Sequence, residues 1–382
     1  TGSTMTAVAG NGYWVDTTSN ACTITLPASA SVGDTIIFTD YARNWGTNSI
    51  TIDSNGLNYQ SQDDTWTVEY GTDGMSLAIT YMNATQGWVP TIDEAVAYVP
   101  TATKGIFGFG TTGSNTAVTN LVSDAGVVAT DVAGVGTARN YPQACEYGGD
   151  KGIFGFGTTG SATGVTNLVS NAGVVASDVS AVGTARHSLA ACSYGEDKGI
   201  FGFGNGPVSM TNLVSNAGVV ATDVTGVGTA RNSLAACEYG GDKGIFGFGY
   251  AGGIVGMTNL VSNSGVVASD VTAVGTAKYD LTACSYGEDK GIFGFGGSDG
   301  GLTAATNLVS NAGVVATDVT GVGTAREQAA ATQYGGDKGI FGYGYTGGQK
   351  SMTNLVSNAG VVATDVTGVG TARSRLAACS WG

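Results

Sequence analysis

The last twelve residues of the chain read TARSRLAACSWG, Thr371 to Gly382. Near copies lie upstream, TARHSLAACSYG from Thr184 and TARNSLAACEYG from Thr229, and each leads into a stretch of the form DKGIFGFG. The final copy leads into nothing. The first KGIFGFG, at Lys104, has the opposite defect: VPTAT stands before it where the others have ARxxLAAC. One strand is therefore missing at the front of the repeats and one is spare at the back. In a closed ring the two defects cancel, because the spare strand supplies the missing one and leaves no long unpaired edge.

The phrase KGIFG[FY]G starts at Lys104, Lys151, Lys198, Lys243, Lys290 and Lys338, a period of 45 to 48 residues. That is the spacing of four-stranded propeller blades. Four strands are expected per unit: a (LAAC), b (GIFGFG), c (TNLVSN) and d (GVVATDV). In LVSNAGVVA two β-branched runs flank Asn-Ala-Gly, which reads as a three-residue hairpin loop with Gly in the left-handed region. The alternate glycines of strand b leave one face bare, so that a neighbouring sheet can approach. The expected fold is all-β: a small β-sandwich-like or jelly-roll-like domain over residues 1–90, a linker over 91–103, and a six-bladed β-propeller over 104–382 closed by the C-terminal strand. An open or stacked array of the six units is the alternative.

Composition narrows the function. The chain has 382 residues, 64 of them Gly and 5 Pro, and a formal charge of −14. That charge opposes binding to nucleic-acid phosphates and to anionic membrane surfaces. No run of eighteen apolar residues is present, so no membrane insertion is expected. TGSTMTAVAGNGYW lacks the basic and apolar regions of a signal peptide and an initiating Met, so a trimmed chain or a fragment is expected.

Six copies can be compared with one another. The b–c connections vary: TTGSNTAV, TTGSATGV, NGPVSM, YAGGIVGM, GSDGGLTAA and YTGGQKSM. So do the residues after each GTA[RK]: NYPQ, HSLA, NSLA, YDLT, EQAA and SRLA. Strands of one sheet alternate in direction, which puts both variable stretches on one face and the near-invariant turns (YGGDK, SNAG) on the other. Loops on a rigid scaffold commonly carry binding, although exposed loops also drift. Hydroxyls, amides and an occasional aromatic suit a sugar surface. The candidate binding residues are Asn115, Asn140, Tyr141, Asn205, Asn232, Tyr250, Tyr279, Tyr345 and Gln349, with the tyrosines as stacking platforms.

The order of an Arg, strand a, a Gly turn, aromatic strand b and the c–d hairpin resembles kelch-type propellers. GFG stands where kelch blades carry a Gly-Gly doublet, and the blades hold no Trp except Trp381. The repeat wording, TNLVSNAGVVATDVTGVGTAR with DKGIFGFG, resembles repeats in virion proteins of tailed phages, those of marine bacteria and cyanobacteria especially. The front segment, GYWVDTTSNACTITLPASASVGDTIIFTDYARNWGTNSITI, is similar to small β-domains of phage fibre proteins. The resemblance implies a tail-fibre or appendage subunit on the virion surface. The first domain would hold other virion proteins, trimerisation included, and the propeller would meet host polysaccharide or lipopolysaccharide. An architectural decoration or filament subunit, and an extracellular lectin, are the alternatives.

Chemistry is sparse. Cys145, Cys192, Cys237, Cys284 and Cys379 share one place in strand a, and the sixth copy has Thr332 there. With no CxxC or partnering His they read as packing, not as metal ligands or disulfides; Cys22 is alone in the first domain. Each unit carries Asp131, Asp178, Asp223, Asp270, Asp318 or Asp365 in strand d, and eight residues later Arg139, Arg186, Arg231, Lys278, Arg326 or Arg373. These read as repeated structural ion pairs, with a Ca²⁺-binding ring of carboxylates as the alternative. One histidine, His187, and no G-x-S-x-G elbow oppose a hydrolase triad. Asp63, Asp64 and Glu69 read as a polar loop. No enzyme activity, cofactor or metal is expected.

Overall fold

The computed structural model describes residues 2–65, 68–95, 103–272 and 274–382. Among these residues every regular element is a strand and none is a helix, so the chain is all-β. It divides into two compact units, Thr1–Val99 and Pro100–Gly382.

The first unit holds two four-stranded sheets. One runs in the order Thr4–Thr6, Cys22–Thr25, Ile50–Asp53, Val68–Tyr70, and the other in the order Gly12–Val15, Thr35–Asp40, Met75–Asn83, Gly87–Ala95. Alternate residues of Cys22–Thr25 and Thr35–Asp40 point inward. They build one core with Ile24, Leu26, Ile36, Phe38, Trp45, Leu77, Ile79 and Trp88. A jelly roll is antiparallel, but here Thr4–Thr6 pairs with Cys22–Thr25, Cys22–Thr25 with Ile50–Asp53, and Gly12–Val15 with Thr35–Asp40, all in parallel. The cause is the winding: the first five strands alternate between the two sheets, so each return to a sheet runs the same way as the last. The linker expected from residue 91 begins later. Gly87–Ala95 is an edge strand on Met75–Asn83, and Pro90 sits at a register shift, where a residue without an N–H is tolerated. Of the rest of that stretch, 96–102 lies outside the described residues.

The second unit contains six three-stranded antiparallel sheets, each in the order a–b–c with strand b in the middle. The b strands are Lys104–Gly108, Lys151–Gly155, Lys198–Gly204, Lys243–Gly247, Lys290–Gly294 and Lys338–Tyr345. Within a sheet the register repeats: Cys145 faces Ile153, Cys192 faces Ile200, and Cys237 faces Ile245. Lys104–Gly108 receives its a strand from the far end of the chain, Ala377–Trp381, with Cys379 opposite Ile106 and Trp381 opposite Lys104. The a strands also neighbour one another between sheets. Gln143–Tyr147 lies beside Ala190–Tyr194, and Ala377–Trp381 lies beside both Ala330–Tyr334 and Gln143–Tyr147.

The glycines of strand b explain how sheets pack so closely. A Cβ placed on Gly244 would lie 2.5 Å from Cys192 Sγ of the preceding sheet, and one on Gly155 would lie 2.7 Å from Phe201 Cζ of the next. The aromatic of GFG departs from the regular strand geometry that its pattern predicts: the strand stops before it in four copies and runs past it through a register shift in Lys198–Gly204 and Lys338–Tyr345. Phe109, Phe156, Phe203, Phe248, Phe295 and Tyr343 all have φ between +60° and +64°. That conformation costs a non-glycine residue about 1–2 kcal/mol. It swings the ring sideways, where Phe109 meets Phe154 edge-on at 5.1 Å and Phe156 meets Phe201 at the same distance.

Strand d is also different from expectation. Residues 126–132 touch strand c only through isolated bridges, Val122 to Val128 and Thr119 to Val132. The buried Asn120 takes over between them: its Nδ2 donates to Ala129 O at 3.0 Å and to Asp131 Oδ1 at 2.9 Å. A side chain thus replaces the ladder, and the outer segment is held at intervals.

Candidate binding face

The conserved-looking Asp and Arg of the repeats do pair, but not with the partner eight residues away. Arg186 Nη1 lies 3.8 Å from Asp223, Arg231 3.9 Å from Asp270, Lys278 3.2 Å from Asp318, and Arg326 3.9 Å from Asp365. Asp131 belongs with Arg373, whose charge acts on it across the closing sheet, and Asp178 with Arg139. The reason is topological. Each Arg comes after one sheet's outer segment and just before the next sheet's strand a, so its sheet-mate is the Asp of the following copy.

The cation does more than pair. Arg186 Nε donates to Phe203 O at 2.8 Å, Nη2 donates to Asn212 Oδ1 at 2.6 Å, and the guanidinium lies 4.4 Å over the Phe156 ring of the previous sheet. Asp223 accepts from Thr184 N at 2.9 Å, Thr184 Oγ1 at 2.7 Å and Asn212 Nδ2 at 2.9 Å. Burial alone would raise its pKa, but these donors outweigh it and hold the carboxyl below the usual range. The set fixes the loop ends; it leaves the aspartates committed to protein donors.

The segments that begin each strand a carry the variable residues, and the structure joins them. The second residue after each Arg or Lys has positive φ: Tyr141, Ser188, Ser233, Asp280, Gln328 and Arg375, all between +48° and +56°. Their backbones are linked from copy to copy. Tyr141 N donates to Arg375 O, Ser233 N to Ser188 O, Asp280 N to Ser233 O, Gln328 N to Asp280 O, and Arg375 N to Gln328 O, at 2.8–2.9 Å. Side chains continue the link: Gln328 Nε2 donates to Tyr141 Oη at 3.2 Å and to Asp280 Oδ2 at 3.0 Å, and Arg375 Nε donates to Gln328 Oε1 at 3.1 Å. The b–c connections dock alongside through the bridges Asn140–Thr158, Asn232–Tyr250, Tyr279–Gly297, Glu327–Tyr345 and Thr111–Ser374. Both variable stretches are therefore neighbours within each sheet.

The nine candidate binding residues divide. Asn115 and Asn140 serve each other, Asn140 Nδ2 donating to Asn115 Oδ1 at 2.7 Å, and Asn115 Nδ2 donates to Thr158 O at 3.3 Å. Tyr141 is half-buried between Arg375, 4.8 Å over its ring, and His187 at 5.9 Å. Tyr279 packs on Gly297, where a Cβ would lie 2.5 Å from its ring. Asn232 is half-buried in its bridge to Tyr250. Asn205 and Tyr250 are exposed. Tyr345 and Gln349 come together with Thr111, Gly113, Glu327, Gln328, Ser374 and Arg375 around a cleft of about 290 Å³. Burial, and then the nearby Asp280, raises the Glu327 carboxyl, while Arg375 pulls it back. Glu327, Gln328, Asp280 and Arg375 were not among the sequence candidates. Their signal is the variability after GTA[RK]; Glu327, Asp280 and Arg375 are charged, unlike the hydroxyls, amides and aromatics expected of a sugar surface, while Gln328 differs from them in being a neutral amide.

A second cluster lies at the other ends of the a strands. Glu146, Ser193, Glu238, Ser285, Gln333 and Ser380 follow the five cysteines and Thr332 around one small cavity. Burial pushes the Glu238 carboxyl up to about 8, with Asp242 and Glu196 adding to it, and raises Glu146 as well. The six cysteines are free and buried, and burial raises the thiols. Among the described residues no group of three or more His, Cys, Asp or Glu is placed to hold a metal ion.

No protein-family model matches the chain, and no curated protein matches it.

Proposed function

We propose that the second unit is a six-bladed propeller and that the face carrying its variable segments recognises a host surface glycan, as part of a non-enzymatic tail-fibre or appendage protein. Ring closure is supported by the pairing of Ala377–Trp381 with Lys104–Gly108 and by the sequence of neighbouring a strands that returns from 377–381 to 143–147. The observation that carries recognition is the docking of each variable b–c connection against the variable start of strand a, linked through one series of backbone hydrogen bonds. Diversity on a rigid frame is the arrangement of a recognition surface. The placement on a phage particle, and attachment through the first unit, rest on the resemblance of the repeat wording and front segment. Exchange of the b–c connections 111–118 and 345–352 for those of another copy tests it: adsorption of particles to host cells is expected to fall, and unchanged adsorption overturns the reading.

A second reading has an observation of its own. Val127, Val174, Val219, Val266, Val314 and Val361 are 63–65% exposed on the least variable segment of every copy. An apolar, repeated rim fits side-by-side packing in a virion lattice, as expected of a decoration or filament subunit. Particle reconstruction that finds this rim buried and the variable face covered would favour it.

A further inference from the structure

We infer that the cleft between Thr111, Glu327, Tyr345, Gln349, Ser374 and Arg375 binds a single uncharged hexose unit. This rests on the recognition-face reading above and names its site and ligand.

The cleft sits where the first and last copies of the repeat come together. One wall is held by Thr111 N donating to Ser374 O at 2.9 Å and Ser374 N donating back to Thr111 O at 3.1 Å. The other is held by the matching exchange between Glu327 and Tyr345, at 3.1 and 2.8 Å. Both walls are set before any ligand arrives, which lowers the ordering cost of binding. A space of about 290 Å³ is at the lower end of small-molecule pockets. It suits one sugar ring and not an extended oligosaccharide.

The lining is matched to hydroxyls. Glu327 accepts, Arg375 donates, and the amide of Gln349 does both, while Gln328 is committed to Tyr141, Asp280 and Arg375 and holds the wall. The Tyr345 ring supplies an apolar surface for the C–H face of a sugar. The charges decide against an acidic sugar. The single guanidinium is balanced by the single carboxylate, and Asp280 stands behind Gln328 at 3.0 Å. The chain as a whole carries −14. An anion would meet Glu327 without a surplus cation to receive it.

This combination occurs at one seam alone. At the Glu327 position the other copies have Asn140, His187, Asn232, Tyr279 and Ser374; at the Arg375 position they have Tyr141, Ser188, Ser233, Asp280 and Gln328. The repeat thus loses its symmetry where an acceptor and a donor are brought face to face.

The test uses the full chain, with ligand-observed NMR and titration calorimetry against methyl glycosides of glucose, galactose and mannose, and methyl glucuronide as the anionic probe. Saturable binding of at least one neutral glycoside is expected, weakened about tenfold or more in Glu327→Gln and in Gln349→Ala, a loss of about 1.4 kcal/mol. The glucuronide is expected to bind at least tenfold more weakly, and Asn311→Ala, in a turn between strands c and d where its Nδ2 donates to Asp289, to bind as wild type. Absence of neutral binding, binding by both cleft variants as tight as that of wild type, or preference for the glucuronide overturns the proposal. Circular dichroism of each variant confirms the fold. If exchange of the b–c connections abolishes adsorption while both cleft variants retain it and bind no hexoside differently, the recognition face stands and the cleft assignment falls.

Discussion

Arg231 reaches forward to Asp270, at 3.9 Å, while the Asp eight residues before it, Asp223, is held by Arg186. Each cation is buried, stacks on an aromatic ring of the preceding sheet, and hydrogen-bonds within its own. It therefore joins two sheets at once. The Asp–Arg contact is the longest leg of the arrangement; the bonds to Phe248 O and Asn259 Oδ1, at 2.8 and 2.7 Å, are tighter.

Replacing the cation should show this division. Arg231→Ala leaves Phe248 O and Asn259 Oδ1 without their donor and removes the packing on Phe203, so a loss of about 3 kcal/mol is expected. Arg231→Lys should cost roughly half as much or less, because Lys278 already occupies the equivalent place with contacts to Asn307 and Asp318. Denaturant midpoints of the two variants decide it; equal losses would contradict the shared role of charge and shape.

Gly244 is expected to reject a methyl group. Its Cβ would lie 2.5 Å from Cys192 Sγ and 3.2 Å from Ser193 O, so Gly244→Ala should cost about 1–3 kcal/mol by overpacking. Adding Cys192→Ala should restore part of that, giving a coupling of about 0.5 kcal/mol or more in a double-mutant cycle. Simple additivity would mean that the sulfur is not what fills the space over the glycine.

Glu238 in a strand a and Asp223 in an outer segment predict opposite slopes with pH. Glu238 is raised, by burial first, to about 8, so the folded state holds a proton that the unfolded chain releases near 4.5. Its contribution is full below 4.5 and is lost as pH rises towards 8, with a slope of at most about 1.4 kcal/mol per pH unit. Glu238→Gln should flatten stability across that window and raise it at pH 8. Asp223 is lowered, so its contribution is present above the ordinary aspartate range and is lost on acidification below it. Unfolding curves at pH 5 and pH 8 that keep the same difference in wild type and Glu238→Gln would refute the assignment.

Trp381 tests the junction of the first and last repeats. It is buried, and its indole Nε1 donates to Asn171 O at 2.8 Å in another sheet. Trp381→Ala should cost about 3–5 kcal/mol. Trp381→Tyr should cost much less, since Tyr147, Tyr194, Tyr239, Tyr286 and Tyr334 fill the equivalent places in the other copies. Heat or denaturant unfolding separates the two outcomes.

Local chemistry made much of this chain legible in one dimension. The period, the a–b–c order, the Asn-Ala-Gly turn and the bare face of KGIFG all follow from short-range rules: β-branched runs form strands, and glycine takes positive φ or yields room. Gly126 does both, with φ of +74° and a Cβ position 2.8 Å from Tyr334 Cζ. The partner of Lys104–Gly108 follows from counting strands, because an unpaired edge and a spare strand satisfy each other. Other features needed contacts between distant residues. Asn120 displaces a strand ladder by binding Ala129 and Asp131, which a β-pattern in GVVATDV conceals. The Asp–Arg partners are set by which sheet each residue enters, not by their eight-residue separation. Parallel pairs in the first unit come from its winding between two sheets. The cleft of Glu327, Tyr345 and Arg375 exists because residues from opposite ends of the repeat array meet; spacing along the chain carries no trace of that encounter, and only folding brings those charges within reach of one ligand.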